Sequence, residues 1–153
     1  MKKIAVLIGS ESDRDTIFAA APYFEYFGLN WDLQVLSAHR NPAEVTEFSR
    51  TARENGYAVI IGAAGMAAHL AGAIKAHTTL PVIGVPLSGG ILDGMDALLS
   101  TVQMPKGVPV ATFAVGKAGI INAAIFSAEI LALNDDELAT KLNRFKESGC
   151  TLK

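Results

Sequence analysis

The sequence predicts a three-layer α/β sandwich, a doubly wound, five-stranded parallel sheet with helices on both faces. Two observations carry that reading. Short apolar runs alternate with helix-spaced segments along the chain. The runs are largely apolar, as strands buried on both faces are, and the helical segments between them serve as crossovers between parallel strands.

The first run, Lys3 to Ile8, has a β-branched bias and ends at "GS". Asp13 to Phe27 has helical spacing and stops at Gly28, a residue suited to the left-handed end of a helix. Trp31 to Leu36 reads as the second strand. In the helix that follows, Asn41 can cap, Pro42 suits the first position, Glu44 sits where a capping box wants an acid, and Gly56 marks the end. "YAVIIG" is the third strand, and "AAGMAAHLAGAIKAH" a glycine-containing turn and an apolar helix. "LPVIGV" is the fourth strand, followed by "PLSGG" and a helix from Leu92 to Val102. A loop with Pro105, Gly107 and Pro109 leads to the fifth strand, "VPVATFAV". Ala118 to Leu133 is a long helix. Asn134, with Glu137 three residues on, opens the last helix, which runs to Glu147. Right-handed crossovers and five strands fit a flavodoxin-like order, 2-1-3-4-5.

A chain of 153 residues, half of them hydrophobic, can bury a full core, and one domain over 1–153 is expected. The net charge is −2 with no block of like charge, which speaks against nucleic acid as a partner. "MKKIAVLIG" is too short an apolar stretch for a signal peptide, and "SESDRD" follows at once. No uninterrupted apolar run is long enough to span a bilayer, so no membrane partner is expected. The one cysteine, Cys150, has no partner for an internal disulfide, and a cytoplasmic protein is the simpler reading.

In such sheets ligands bind beyond the carboxyl ends of the strands, at the switch in strand order. Those ends carry "GSESD", "SAHR", "GAAGMAAH" and "PLSGG", and the order 2-1-3-4-5 makes the first three neighbours. "GSESD" opens a helix, where free N–H groups and the helix dipole favour an anion. Ser10 and Ser12 add hydroxyls, and Asp13 suits a pair of ribose hydroxyls. Ser12 or Asp13 as a plain helix cap explains the same residues. Arg40 offers a fork of donors to a phosphate, or is a solvated loop arginine. His39 has the pKa range of a general acid or base, or is a polar loop residue. Convergence on one rim favours the functional reading. A packed residue is the simpler reading of His69, and His77 is expected to satisfy the last carbonyls of its helix. Asp93 and Asp96 fit a helix start better than a metal site. No cluster has metal-ligand spacing, and neither metal nor cofactor is expected. The phosphate-loop, dinucleotide and nucleophile-elbow motifs are absent from the sequence. The third strand also lacks the terminal aspartate of a phospho-acceptor receiver domain.

"GSESD", "SAHRNP", "AAHLAG", "GVPL" and "LLSTVQMPKGVPVAT", in this order, resemble the N5-carboxyaminoimidazole ribonucleotide mutase family of purine biosynthesis, from Ile4 to Asn143. The resemblance implies a three-layer α/β fold and a homo-octamer with sites at subunit boundaries. It also implies a cofactor-free transfer of a carboxylate from N5 to ring carbon C4 of a small ribonucleotide. Ser10, Asp13 and Arg40 would then bind the ribose phosphate, with Ser12 and Ser37 in support. Gly65, His69 and Leu70 would complete the substrate site, and His39 would transfer protons. Three positions depart from the family's pattern: Asn41 for threonine, Ala71 for proline, and Met66 for the second glycine of a pair. A sister branch uses free carbon dioxide and carries a Ser-Asn pair in place of "AAHL" and a lysine after the histidine. By Arg40 and "AAHL" this chain resembles the mutase branch, with direct carboxylation of aminoimidazole ribonucleotide by carbon dioxide as the alternative.

A non-catalytic nucleotide-binding module would use the same serines and Arg40 but make no demand on His39. Between Ala118 and Leu133 only Asn122, Ser127 and Glu129 are polar. A helix so apolar is expected to pack on the sheet and on a neighbouring subunit, unless the C-terminal segment covers it.

Overall fold

The computed structural model describes residues 2–152. Five parallel strands stand in the order β2-β1-β3-β4-β5. They are β1 (Lys3–Ile8), β2 (Asn30–Val35), β3 (Tyr57–Ala64), β4 (Val82–Pro86) and β5 (Ala111–Thr112). The crossovers are α1 (Arg14–Phe18), α2 (Ala21–Phe27), α3 (Pro42–Thr51), α4 (Leu70–Lys75) and α5 (Met95–Val102), and the chain closes with α6 (Lys117–Ala132) and α7 (Asp136–Glu147). The predicted architecture and strand order hold.

Strand alternation builds two cores. Ile4, Val6, Ile8, Val59, Ile61, Ile83 and Val85 face α1, α2 and α6 through Ile17, Phe24 and Ile120. Ala5, Leu7, Ile60 and Val82 face α3 and α4 through Val45, Leu70 and Ile74. The fully buried central strands explain why their sequences show no polar alternation. Two glycines let helices approach the sheet on that second face. A Cβ on Gly62 would lie 3.1 Å from the Ala71 Cα of α4, and one on Gly84 would lie 2.5 Å from Thr101 Cγ2 of α5.

Several boundaries differ from the sequence reading, each for a local reason. The predicted helix 13–27 is broken after Phe18. Pro22 has no N–H for the Phe18 carbonyl and its ring would clash there, but it is tolerated in the first turn of a new helix. The fifth strand has two residues rather than eight. Phe113 N–H reaches Gly84 O at 3.0 Å, and the next rung would need an N–H from Pro86, which has none. The helix predicted from Leu92 starts at Met95, because Gly94 at φ 111 separates it from a 3₁₀ turn over Ile91–Asp93. The last helix is capped by Asp135, one residue later than predicted, its carboxylate accepting from Leu138 N–H at 3.0 Å. Helix α6 is covered on its sheet side and, beyond it, by α2 and α7 through Phe27, Ala128, Leu138 and Phe145. Of the predicted segment Ala118 to Leu133, only Leu133, just past the end of α6, exposes a large hydrophobic side chain among the described residues, so the C-terminal segment covers the helix itself. The exposed apolar row is instead Ile91, Leu92, Met95, Leu99 and Val102, on and just before α5.

Candidate active site

A cavity of about 440 Å³ opens at the carboxyl ends of the strands. Four loops line it: Gly9, Ser10, Ser12 and Asp13 after β1; Ser37 to Arg40 after β2; Ala64 to Ala67 with His69 and Leu70 after β3; and Ser88 with Gly89 after β4. Every residue singled out as a site candidate is present: Ser10, Ser12, Asp13, Ser37, His39, Arg40, Gly65, His69 and Leu70. A larger cavity, about 740 Å³, lies at the opposite end of the sheet around Gly28, Asn30, Tyr57 and Leu131. Four of its polar residues have partners within the fold: Lys141 pairs with Glu137 at 3.6 Å, Arg53 donates to Thr79 at 3.1 Å, and Asp135 caps α7.

The first loop is a 3₁₀ turn, Glu11–Asp13, leading into α1. Ser10 Oγ lies 2.9 Å from Ser12 Oγ and accepts from Ser12 N–H at 3.3 Å. Asp13 makes no side-chain cap bond, so the capping alternative fails for it. Partial burial pushes its carboxyl above the usual carboxylate range. The expected dipole contribution is small, because α1 has only five residues. Local hydroxyls and amides are what this loop offers an anion. Arg14 is held by Glu11 in a two-point fork at 2.7 and 2.9 Å. Arg40 is exposed, and among the described residues no side chain pairs with its guanidinium.

The second loop is sewn shut. Arg40 N–H donates to Ser37 Oγ at 3.2 Å, Asn41 N–H to Ser37 O at 2.8 Å, and Ser37 N–H to Asn41 Oδ1 at 3.2 Å. Asn41 therefore does not cap α3 with its side chain as predicted. It closes the turn behind it instead, which holds His39 and Arg40 at the tip.

His69 corrects a further expectation. It is exposed rather than packed, and it stands at the N-cap of α4. Its Nδ1 lies 2.8 Å from His39 Nε2, with the rings edge-on at 85°. One proton bridges the two nitrogens, and either ring can be the donor. His77 meets the Ile74 carbonyl through its backbone N–H at 3.0 Å, and its exposed ring makes no hydrogen bond among the described residues. Asp93 accepts from Gly89 N–H at 3.2 Å and Asp96 from Ile91 N–H at 3.1 Å, which shapes the fourth loop.

Sequence reasoning missed Ser100. From α5 its Oγ accepts from Ala68 N–H at 3.0 Å and donates to Asp96 O at 2.7 Å, with Met66 O at 3.3 Å. A serine inside a helix gives no sign in the sequence that it reaches another loop.

Fold and site define a doubly wound α/β protein with two hydrogen-bonded histidines and an exposed arginine in a cavity at its topological switch point. The chain belongs to the AIR carboxylase family, whose model matches residues 3–150. The N5-carboxyaminoimidazole ribonucleotide mutase of Escherichia coli (strain K12) is 48% identical over 146 residues, covering 95% of this chain and 86% of that protein. The protein of the same name from Bacillus subtilis (strain 168) is 48% identical over 145 residues, covering 95% and 90%. That from Pyrococcus abyssi (strain GE5 / Orsay) is 46% identical over 147 residues, covering 96% and 83%. The crystal structure of Treponema denticola PurE shares the fold, with a TM-score of 0.87 at 24% identity over 98% of this chain and 92% of that chain.

Proposed function

We propose that this chain converts N5-carboxyaminoimidazole ribonucleotide to 4-carboxyaminoimidazole ribonucleotide in purine biosynthesis. The observation that carries the reading is the 2.8 Å contact between His39 Nε2 and His69 Nδ1, inside one cavity with Ser10, Asp13 and Arg40. Relatives that carry the mutase name support the choice of reaction.

The chemistry needs a proton delivered and later removed. Protonating N5 of the carbamate breaks the N–C bond and releases carbon dioxide, leaving the aminoimidazole. Electrons of the ring then form a bond from C4 to the trapped carbon dioxide. Loss of the C4 proton restores aromaticity, so the overall change is an isomerisation. His39 serves both proton steps, since an imidazole has one nitrogen that can donate a proton and one that can accept it. With Nε2 engaged by His69, a proton gained at one end of the pair is passed along the Nε2···Nδ1 bond and returned in the second step. Arg40 and the Ser10–Ser12 hydroxyls hold the phosphate, Asp13 the ribose hydroxyls, and Ser37 fixes the loop. Gly65 and Leu70 shape the wall against the ring. The substrate's own ring carries the charge, so the protein's work is orientation and retention of carbon dioxide.

The whole chain, 1–153, acts as one catalytic domain in the cytoplasm, in a homo-octamer with sites at subunit boundaries. The apolar row Ile91, Leu92, Met95, Leu99 and Val102 beside the fourth loop supports burial against another copy. A monomeric mass by sedimentation at micromolar concentration would refute the assembly.

The decisive experiment is conversion of the carbamate substrate, labelled with ¹³C at the carboxylate and followed by NMR. Wild type is expected to turn over. His39→Asn is expected to fold and bind nucleotide but to lose about 10²–10⁴-fold in kcat. Wild-type kcat in that variant defeats the mechanism.

A further inference from the structure

We infer that Ser100 is a positioning residue of this site, holding the turn at Met66–Ala68 so that His69 meets His39. The inference rests on the acid–base reading above and extends it to a residue on a different helix.

The turn is not one the chain adopts by itself. Met66 sits at φ 50, the left-handed region that L side chains rarely occupy. Two tight turns follow, with Ala68 N–H on Met66 O and His69 N–H on Ala67 O, both at 2.9 Å. Met66, Ala67 and Ala68 have no side chain able to brace such a turn, and α4 has no side-chain cap. A backbone held in a sparsely populated conformation needs surroundings that fix it. Among the described residues, Ser100 is the only side chain that hydrogen-bonds this turn's backbone.

The buried helix hydroxyls bond only within their own helix, Ser49 to Val45 O, Thr101 to Ala97 O and Ser127 to Ala123 O, whereas Ser100 is half-buried. Ser100 makes that kind of bond too, to Asp96 O at 2.7 Å. With its proton committed there, its lone pairs accept from Ala68 N–H at 3.0 Å. His69 is the next residue. Movement of Ala68 displaces His69 directly, and the ring contact at 2.8 Å has little room to lengthen before it ceases to be a hydrogen bond.

The test compares wild type, Ser100→Ala, Ser100→Thr and Ser100→Cys in the full-length protein. Cysteine keeps the shape but is a weak acceptor, so it serves if the alanine variant does not fold. The readouts are melting temperature, kcat and KM, and ¹H–¹⁵N imidazole spectra across roughly pH 5–8. The spectra are assignable because the chain has only three histidines. Ser100→Ala or Ser100→Cys is expected to lose the ring-to-ring N–H···N signature, change the pH profile, and lower kcat about tenfold, or about 1.4 kcal/mol in barrier. KM should hold, and Ser100→Thr should restore both signature and rate. An unchanged imidazole spectrum and kcat in the folded alanine or cysteine variant overturns the proposal. Wild type without turnover defeats the acid–base reading and the catalytic half of this proposal, and the spectra then separate that failure from an error about Ser100.

Discussion

Arg40→Ala separates binding from folding at this site. In the free protein no side chain pairs with the guanidinium among the described residues, and the loop is held by Ser37 and Asn41 rather than by Arg40's own side chain. Truncation should therefore move stability by no more than about 0.5 kcal/mol. The substrate loses at least one charge-assisted hydrogen bond to phosphate, worth about 1.5–3 kcal/mol. At about 1.4 kcal/mol per decade that is roughly a tenfold to 150-fold rise in KM. Arg40→Lys keeps the charge without the fork and should fall between. Raising ionic strength should weaken binding in wild type more than in the alanine variant. The assays are steady-state kinetics on the carbamate and titration calorimetry with the product nucleotide. Unchanged KM and affinity in Arg40→Ala, or a marked drop in melting temperature, refutes the assignment.

Two further outcomes follow from the titrating groups. Asp13 has a carboxyl raised by burial, so the folded state holds its proton more tightly than the unfolded chain does, and wild-type stability falls as pH rises through the folded pKa. Asp13→Asn should therefore melt higher than wild type at neutral pH, show no such gain well below about pH 4, and bind substrate worse; thermal melts across that range check it. Tyr57 is pushed up to about 12 by burial and by its 2.6 Å bond to Asp32. Wild-type stability should decline between about pH 10 and that value, a slope that Tyr57→Phe should lack while losing about 1 kcal/mol at neutral pH, as read by denaturant titration.

The sheet order and the rim were legible because both rest on chain-level rules: apolar strands need two covered faces, and ligands sit where the strand order reverses. Ser10, Asp13, His39 and Arg40 follow from their places at strand ends. The break before α2 is equally written in Pro22, but the apolar spacing runs through it and masks it. The short β5 depends on pairing register, since only the pairing shows that Pro86 faces the missing rung. His69 was harder. A histidine at the start of an apolar helix reads as packed, and its exposure follows from a left-handed turn at Met66 that nothing in Met66's chemistry announces. Asn41 and Ser100 fail for a similar reason. Their side chains choose between local and more distant backbone partners, and spacing does not encode that choice.

The two-residue β5 bears on how the protein behaves at high concentration. An open parallel sheet has two borders, and each is a template on which another chain could add a strand. Here one border is almost absent, since β5 pairs through only Ala111 and Thr112 and is flanked by Pro109. The other, β2, carries Asp32 and Gln34, whose side chains point inward across the sheet face to Tyr57 of β3. A charge and an amide tied into that network make a poor surface for strand addition. The sheet is thereby guarded against fibrous growth at both margins.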